Sequence, residues 1–317
     1  MFDFFISPES FHFFFVVLTL SYNQPRFCLN TIWNSNATIF ANRSFVGTQP
    51  YSIFVNSNNS IYLPNAITRQ IHIWQNENHF SPTKTIESNS SYPVSLFVTT
   101  NGDIYVNNGR TNGRIDKWII ENETWILTMN VSSQCFGLFI DIYENLYCSM
   151  YHYHRVDKKW SNDTTTIAAG TGVRGSSLDM LSNPWGIFVD VNLDLYVADC
   201  LNNQIKLFRL NQRNGTIVAG DSSTIRLKYP SGIVLDGNQH LFIADQGNDR
   251  IIGSDENGFR CIFGCSVDGS SNYKLSSPYA ISFDNYGNIY VTDLSNHRMQ
   301  KIVKNNICSK QILFKNF

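Results

Sequence analysis

A short sequence phrase recurs six times along this chain, and in four of the copies an aromatic side chain follows its first residue. These aromatic residues are Tyr51, Phe136, Trp185 and Tyr279, and Val94 and Ser231 hold the same position in the other two copies. A second aromatic group, Tyr151 to Tyr153, includes His152. Aromatic rings with polar edges are frequent anchors of protein and glycan recognition. The predicted ligand-binding residues are therefore Tyr51, Tyr151, His152, Tyr153, Trp185 and Tyr279. Packing between repeats is the alternative role for Trp185 and for Phe136.

Metal catalysis would need several histidines that converge on one ion. Only His152, His154 and His297 fall in the loop between the second and third strands of a copy of the phrase, where such a site could form. They belong to the third and sixth copies, and a ring of six copies would place these two opposite each other. The segment from Asp190 to Asp194 resembles the start of a calcium loop but lacks the following glycine and the distal glutamate. No nucleophile elbow or phosphate loop is found. We predict no catalytic residue, metal site or cofactor.

The recurring phrase is the dominant feature of the sequence. Its fullest copy begins Pro184-Trp-Gly-Ile-Phe-Val-Asp190, and the six copies begin 42 to 49 residues apart, at Pro50, Pro93, Cys135, Pro184, Pro230 and Pro278. Such a period indicates a solenoid, a propeller or an array. Each copy contains three or four short runs rich in Ile, Val, Phe and Tyr, separated by Asn, Gly and Asp, which is typical of strands and turns.

The first strand of each copy distinguishes a propeller from the other repeat architectures. It is continuously apolar, as in Ile187 to Val189, so both of its faces must be buried, as they are between adjacent blades. A small residue precedes each run, which allows the close approach of backbones near a central axis. These small residues are Ser52, Ser95, Gly137, Gly186, Gly232 and Ala280. We predict an all-β, six-bladed propeller of four-stranded antiparallel blades.

Closure of the ring requires an edge strand from the opposite terminus, because an open blade leaves backbone groups unpaired. The segment Thr38 to Phe40 resembles the fourth strand of later copies and is predicted to pair beside Met299 to Ile302. The competing closing strand is Gln311 to Phe314. A disulfide between Cys28 and Cys308 is a hypothesis for the same seam.

Composition argues against a polyanionic partner. The chain has 317 residues and a formal net charge of −1, and its basic residues are dispersed. Nucleic-acid-binding proteins usually carry a clustered basic field. We therefore predict no nucleic-acid partner.

The N-terminal stretch from Phe11 to Leu20 is almost entirely apolar. Its length suits the core of a signal peptide and is too short for a stable membrane span. We predict a signal peptide over residues 1–23 and a propeller over residues 24–317. A wrongly assigned start or a buried N-terminal strand are the alternatives.

Sequons and cysteines bear on whether the protein is secreted. Eight Asn-x-Ser/Thr sequons occur, and four of them lie in one equivalent turn before a short apolar strand, at Asn36, Asn122, Asn162 and Asn214. Turn chemistry also favours asparagine there, but glycans at this turn would be sterically harmless. Seven cysteines could form disulfides after secretion, with at least one left unpaired. Cys261 and Cys265 could be joined only across a bend.

The succession Pro-x-Gly-Ile-x-Val-Asp, Leu/Ile-Tyr-Val-x-Asp and Asn-x-Arg-Ile resembles the NHL repeat family of six-bladed propellers, over about residues 50–303. The resemblance implies that the aspartates at the end of the second strand, and the arginines that follow five residues later, order the next loop. These residues are Asp199, Asp245 and Asp293, with Arg250 and Arg298. Copies one to three are degenerate and place Asn65, Asn107 and Ser149 near the aspartate position.

The resemblance does not select a function. Such propellers include RNA-binding or partner-binding modules, extracellular domains and enzymes such as a peptide-amidating lyase, and one fold hosts many functions. Our hypothesis is a secreted, non-catalytic module that recognises an extracellular protein or carbohydrate through its top face. The alternative is a hydrolase or lyase that uses the central funnel. An RNA-binding role lacks the basic face that it requires.

Overall fold

The computed structural model describes residues 20–28, 31–75, 81–108, 113–220, 224–265 and 274–305. Six antiparallel sheets of four strands each form a ring, so the predicted six-bladed, all-β propeller is confirmed. In each blade, strands a to d run from the central channel to the rim. We call the end that carries the b-to-c loops the upper face and the end that carries the a-to-b turns the lower face.

The described strands fall into six blades and one small extra sheet. Before blade one lie β1 (Ile32–Trp33), β2 (Thr38–Ala41) and the helix α1 (Arg43–Val46). Blade one contains β3 (Phe54–Val55), β4 (Ile61–Asn65), β5 (Gln70–Trp74) and β6 (Lys84–Glu87). Blade two contains β7 (Leu96–Val98), β8 (Ile104–Asn107), β9 (Arg114–Ile119) and β10 (Thr124–Asn130). Blade three contains β11 (Cys135–Ile140), β12 (Leu146–Met150), β13 (Arg155–Lys159) and β14 (Thr165–Ala169).

The second half of the ring is built in the same way. Blade four contains β15 (Pro184–Val189), β16 (Leu195–Asp199), β17 (Gln204–Phe208) and β18 (Thr216–Ala219). Blade five contains β19 (Pro230–Leu235), β20 (Leu241–Asp245), β21 (Arg250–Asp255) and β22 (Gly258–Phe263). Blade six contains β23 (Pro278–Phe283), β24 (Ile289–Asp293), β25 (Arg298–Ile302) and, as its outer strand, β2. The pair β1 and β26 (Lys304–Asn305) forms the extra sheet.

The inner strands of neighbouring blades pack against each other all the way round the ring. Their side chains are buried on both faces, as Ile187, Phe188 and Val189 show in blade four. The small residues before these runs are required by the packing. A Cβ atom added to Gly137 would lie 2.5 Å from the Trp185 carbonyl oxygen, and one added to Gly186 would lie 2.2 Å from that of Ser231.

The N-terminal strand closes the ring, as predicted. In β2, Thr38 pairs with Lys301 and Ile39 pairs with Gln300, which completes blade six. The competing segment Gln311 to Phe314 and the cysteine Cys308 lie outside the described residues. The Cys28–Cys308 disulfide therefore stays a prediction.

The segment that precedes β1 runs across the lower face and closes the channel there. The Tyr22 ring packs edge-on against three inner-strand phenylalanines, with centroids 6.3, 5.4 and 5.3 Å from those of Phe97, Phe139 and Phe188. The Asn23 side-chain amide donates to the carbonyl oxygens of Asn56 and Phe283. The signal peptide predicted over residues 1–23 includes Tyr22 and stays a prediction.

The calcium-like segment is an ordinary polar turn. Asp190 accepts hydrogen bonds from the backbone N–H groups of Asn192 and Asp194, both at 2.9 Å. Asp236 and Asp284 accept the same pair of bonds at the equivalent turns of blades five and six. The carboxylate is thus used within the turn, as aspartate commonly is.

Two disulfides are present among the described residues. Cys135 pairs with Cys148 inside blade three, and Cys261 pairs with Cys265 at the rim of blade five. The bend that the second pair needs is supplied by Gly264, whose φ is +76°. Cys200 is buried and carries a free thiol.

The four equivalent sequon asparagines lie where the sequence predicts. Asn36, Asn122, Asn162 and Asn214 are all exposed, and each precedes the outermost strand of a blade. At two of them the asparagine side-chain Oδ1 also accepts from the hydroxyl of the sequon threonine, Thr124 at 2.6 Å and Thr164 at 2.7 Å. Within the described ranges, no helix has the length and apolar character to cross a bilayer.

Candidate ligand-binding site at the upper mouth of the channel

Aromatic rings from five different points of the chain meet over the upper end of the channel. The centroids of Trp185 and Tyr279 are 4.8 Å apart, and those of Tyr51 and Tyr279 are 5.1 Å apart. Tyr151 stacks on Trp185 at 5.8 Å and contacts Phe136 at 5.1 Å. Contacts at these distances are favourable beyond the area that they bury. We call these five residues the aromatic cluster.

The repeat itself positions the cluster. Four of its members are the second residue of a repeat copy, so the ring brings them to one level of the channel, whereas Tyr151 begins a 3-10 turn (Tyr151–Tyr153) between strands b and c of blade three. The turn ends at His154, which has a left-handed φ of 50°. Its Nδ1 accepts from the Asn183 backbone N–H at 3.2 Å, and the Asn183 side chain donates to the Tyr151 carbonyl oxygen. These bonds fix the turn against the start of blade four.

The predicted binding residues differ in how much of each is accessible. Tyr279 is buried, with 4% of its surface exposed, whereas Tyr51, Tyr151 and Trp185 are half-buried. His152 and Tyr153 are exposed on the same loop as Tyr151. Tyr153 packs with Arg155, whose guanidinium lies 5.7 Å from its ring centroid. The structure thus places the predicted residues in two groups, a cluster over the channel and a pair at its rim.

Two hydrogen-bond donors in the cluster lack partners among the described residues. They are the Trp185 indole N–H and the Tyr279 hydroxyl, and both atoms are buried. Burial raises the pKa of Tyr279 well above its ordinary value, with further contributions from Tyr51 and other neighbours, so the hydroxyl keeps its proton. Because an unpaired buried polar group costs free energy, both donors favour an acceptor atom brought by a ligand or by water.

Below the cluster, the channel contains a cavity of about 110 Å³. Its wall includes apolar inner-strand side chains and the hydroxyls of Ser52, Ser95 and Ser231. Tyr22 and Asn23 line its lower end. Tyr22 was not among the predicted site residues, because it lies outside the repeats and has no periodic signal.

The histidines that could serve catalysis do not converge. His152, His154 and His297 occupy b-to-c loops as expected, in blades three and six. Burial lowers the pKa of His154, and the nearby Arg174 lowers it further. In the ranges that the structure describes, no group of three or more histidine, cysteine or acidic side chains is arranged to hold a metal ion.

The repeat aspartates bind backbone and side-chain donors of the loops beside them. Asp245 Oδ1 accepts from the Lys228 backbone N–H at 2.7 Å, and its Oδ2 accepts from Arg250 Nε at 2.7 Å and from Asn248. Asp293 has the equivalent partners in blade six, including Arg298 Nε at 2.7 Å. Asp199 accepts from Ser182, Asn202 and Gln204. These contacts tie each b-to-c loop to the segment that enters its blade.

The class of protein, a six-bladed β-propeller, is set by the six sheets of the structure, and solved structures of low sequence identity share this fold. A protein of unknown function from Bacteroides thetaiotaomicron has a TM-score of 0.68 at 12% identity, with 86% of this chain and 76% of that chain covered. Virginiamycin B lyase from Staphylococcus aureus has a TM-score of 0.59 at 13% identity, with 84% and 98% covered.

A binding protein has the same fold. An auxiliary nutrient binding protein from Bacteroides thetaiotaomicron has a TM-score of 0.57 at 14% identity, with 90% of this chain and 76% of that chain covered. No protein-family model matches this chain, and no curated protein matches it in sequence. The similar structures therefore include an enzyme and a binding protein, and at these identities they show the fold alone.

Proposed function

We propose that this propeller is a secreted, non-catalytic binding protein that recognises an extracellular protein or carbohydrate through its upper face. The aromatic cluster is the observation that carries the proposal. It combines flat apolar surface with two buried donors that have no partner among the described residues. Apolar surface with a few convergent polar groups is the usual composition of a recognition site.

Secretion is supported by two independent features. Two disulfides lie among the described residues, and such bonds persist in oxidising compartments. The sequon asparagines Asn36, Asn122, Asn162 and Asn214 are exposed in turns at the rim, where attached glycans would leave the upper face free.

The test is a binding measurement with the secreted protein, against extracellular-fluid proteins and a panel of glycans. For a ligand found in this way, Trp185→Ala should weaken binding about tenfold or more, since buried aromatic anchors dominate such interfaces. Tyr279→Phe removes only the buried hydroxyl donor and should cause a smaller loss. The matched control is Tyr286→Ala, because Tyr286 is exposed in an a-to-b turn on the lower face.

Two results would contradict the proposal. One is a ligand whose affinity is the same for Trp185→Ala, Tyr279→Phe and the parent protein. The other is catalytic turnover of the bound ligand, which would replace a binding role by the enzyme alternative.

A further inference from the structure

A groove separates the outer parts of blades three and four. It has a volume of about 490 Å³, within the range of small-ligand sites, and is far larger than the channel cavity. One wall is β14 and the other is the turn from Arg209 to Arg213. Its floor includes Tyr147 and Phe208, which are buried.

Two other gaps between blades are covered by side chains or by a helix. Between blades one and two, Trp125 donates from its indole N–H to the Glu87 carbonyl oxygen at 3.0 Å. Between blades six and one, Phe45 of α1 packs against Trp74, with centroids 5.9 Å apart. Unlike these two gaps, the gap between blades three and four is open as a groove.

The groove contains a fixed aromatic platform. Lys158 Nζ lies 3.6 Å from the Trp160 ring centroid and 4.9 Å from that of Tyr147, and the Trp160 indole N–H donates to Thr166 Oγ1 at 2.9 Å. Cation–π contact and the hydrogen bond hold the indole in one orientation. Trp160 lines the groove and remains half-buried, so a ligand would contact the part of the indole that Lys158 does not cover.

Guanidinium and amide side chains face this platform from across the groove. The opposite wall presents Arg209, Asn211, Gln212 and Arg213, all of which are exposed. Guanidinium and amide groups can bind two adjacent oxygens at once. A sugar ring offers both partners, since its C–H face is apolar and its hydroxyls occur in adjacent pairs.

The charges in the groove favour a neutral ligand over an anion. Lys158 has Asp141 at 3.7 Å, and Arg209 has Asp194 at 3.6 Å. The remaining charged side chains of the lining are Arg213 and Asp179, which are opposite in sign. With the cations balanced in this way, the groove has no net field that would select an acidic peptide or a phosphate.

We infer that the groove between blades three and four binds a neutral oligosaccharide. Trp160 is the stacking platform, and the polar side chains of the Arg209–Arg213 turn bind the sugar hydroxyls. This site is separate from the aromatic cluster on the upper face. Either site can therefore fail without affecting the other.

The experiment measures binding of neutral oligosaccharides of glucose, mannose and N-acetylglucosamine, with sialylated and uronate-containing oligosaccharides as anionic comparators. The full chain carries Asn162→Gln and Asn214→Gln, so that glycans attached beside the groove do not compete. Trp160→Ala should weaken binding of a neutral probe about tenfold or more. Trp160→Phe keeps an aromatic ring and should lose less, and Gln212→Ala should lose severalfold. Tyr286→Ala, in an exposed turn of blade six outside both proposed sites, should bind as tightly as the parent.

Circular dichroism and the urea midpoint check that each variant folds. If Trp160→Ala does not fold, Trp160→Phe and Gln212→Ala decide the result, since Gln212 is exposed. The inference is overturned if Trp160→Phe and Gln212→Ala both bind neutral probes like the parent. It is also overturned if anionic probes bind more tightly than neutral ones, or if no neutral probe binds at millimolar concentration.

Discussion

The corner where strand b leads into strand c is built differently in the two halves of the ring. In blades five and six, an aspartate ends strand b and pairs with the arginine that begins strand c, at 2.7 Å in each case. In blade four, the position of that arginine is held by Gln204, and the cation comes instead from Lys206, 3.4 Å from Asp199. All three corners keep a buried carboxylate at the end of strand b.

In blades two and three, the carboxylate has moved to strand c. Asp116 follows Arg114 by two residues and pairs with it at 3.0 Å, and Asp157 lies in the same relation to Arg155, at 2.7 Å. Alternate residues of a strand share one face, so the relocated carboxylate stays on the arginine's side of the sheet. In blades two to six the corner therefore combines a carboxylate and a cation, but not at fixed positions.

Blade one has a neutral corner. Strand b ends with Asn65 and pairs with Gln70, and the strand c position that Lys206 holds in blade four is taken by His72. The Asn65 side-chain Oδ1 accepts from the backbone N–H groups of Ile67 and Thr68. The asparagine thus orders the loop without a charged partner.

The largest expected effect is loss of the carboxylate in blade four. Asp199→Ala leaves Lys206 buried without its counter-ion, and removal of one partner of a buried pair costs about 3–5 kcal/mol of unfolding free energy. Urea titration measures this loss. The control is Asp194→Ala, whose partner Arg209 is 69% exposed, so its cost should be below about 1 kcal/mol. Equal costs for the two variants would show that the corner carboxylate has no special weight.

Blade three replaces the aspartate at the end of strand b by Met150, which pairs in register with Arg155, and carries a disulfide beside it. The Cys135–Cys148 bond closes a loop of sequence separation 13, so replacement of both cysteines by alanine should cost about 3 kcal/mol. For Cys261–Cys265, with a separation of 4, the same change should cost about 2 kcal/mol. Thermal unfolding of the two double variants shows which disulfide contributes more to stability. A larger contribution from Cys261–Cys265 would contradict the idea that the Cys135–Cys148 disulfide stabilises blade three in place of the missing aspartate.

The sequence predicts the ring well because the period and the apolar inner strands are local features of each copy. It does less well at the corners. Asn107 and Ser149 were expected near the aspartate position, but each lies one residue before it, and the register-equivalent residues are Asn108 and Met150. Asn108 Oδ1 accepts from the Ser91 backbone N–H at 2.9 Å, as the aspartates do from the equivalent N–H. The sequence signal that was missed is Arg-x-Asp, in which strand c alone supplies both the arginine and the aspartate of the ion pair.

The candidate site shows the same division. The position of the aromatic residues in the repeat predicts that Tyr51, Trp185 and Tyr279 reach one level of the channel. It does not predict that Tyr22 enters the channel from below, because that contact joins residues far apart in the chain and outside any period. Nor does the period predict the groove beside Trp160, which depends on how two particular blades fill the space between them.

The smallest effect concerns the neutral corner of blade one. Burial lowers the pKa of His72 by more than the nearby Glu87 raises it, so the folded protein binds a proton there at lower pH than the unfolded chain does. Stability is therefore full above the ordinary histidine pKa of about 6.5 and falls as pH drops below it, where the unfolded chain is protonated first. Unfolding free energies between about pH 7.5 and about pH 5.5 should decline less steeply in His72→Gln than in the parent. His152→Gln is the control because His152 is exposed. Equal slopes in His72→Gln and the parent would mean that protonation of His72 does not destabilise this corner.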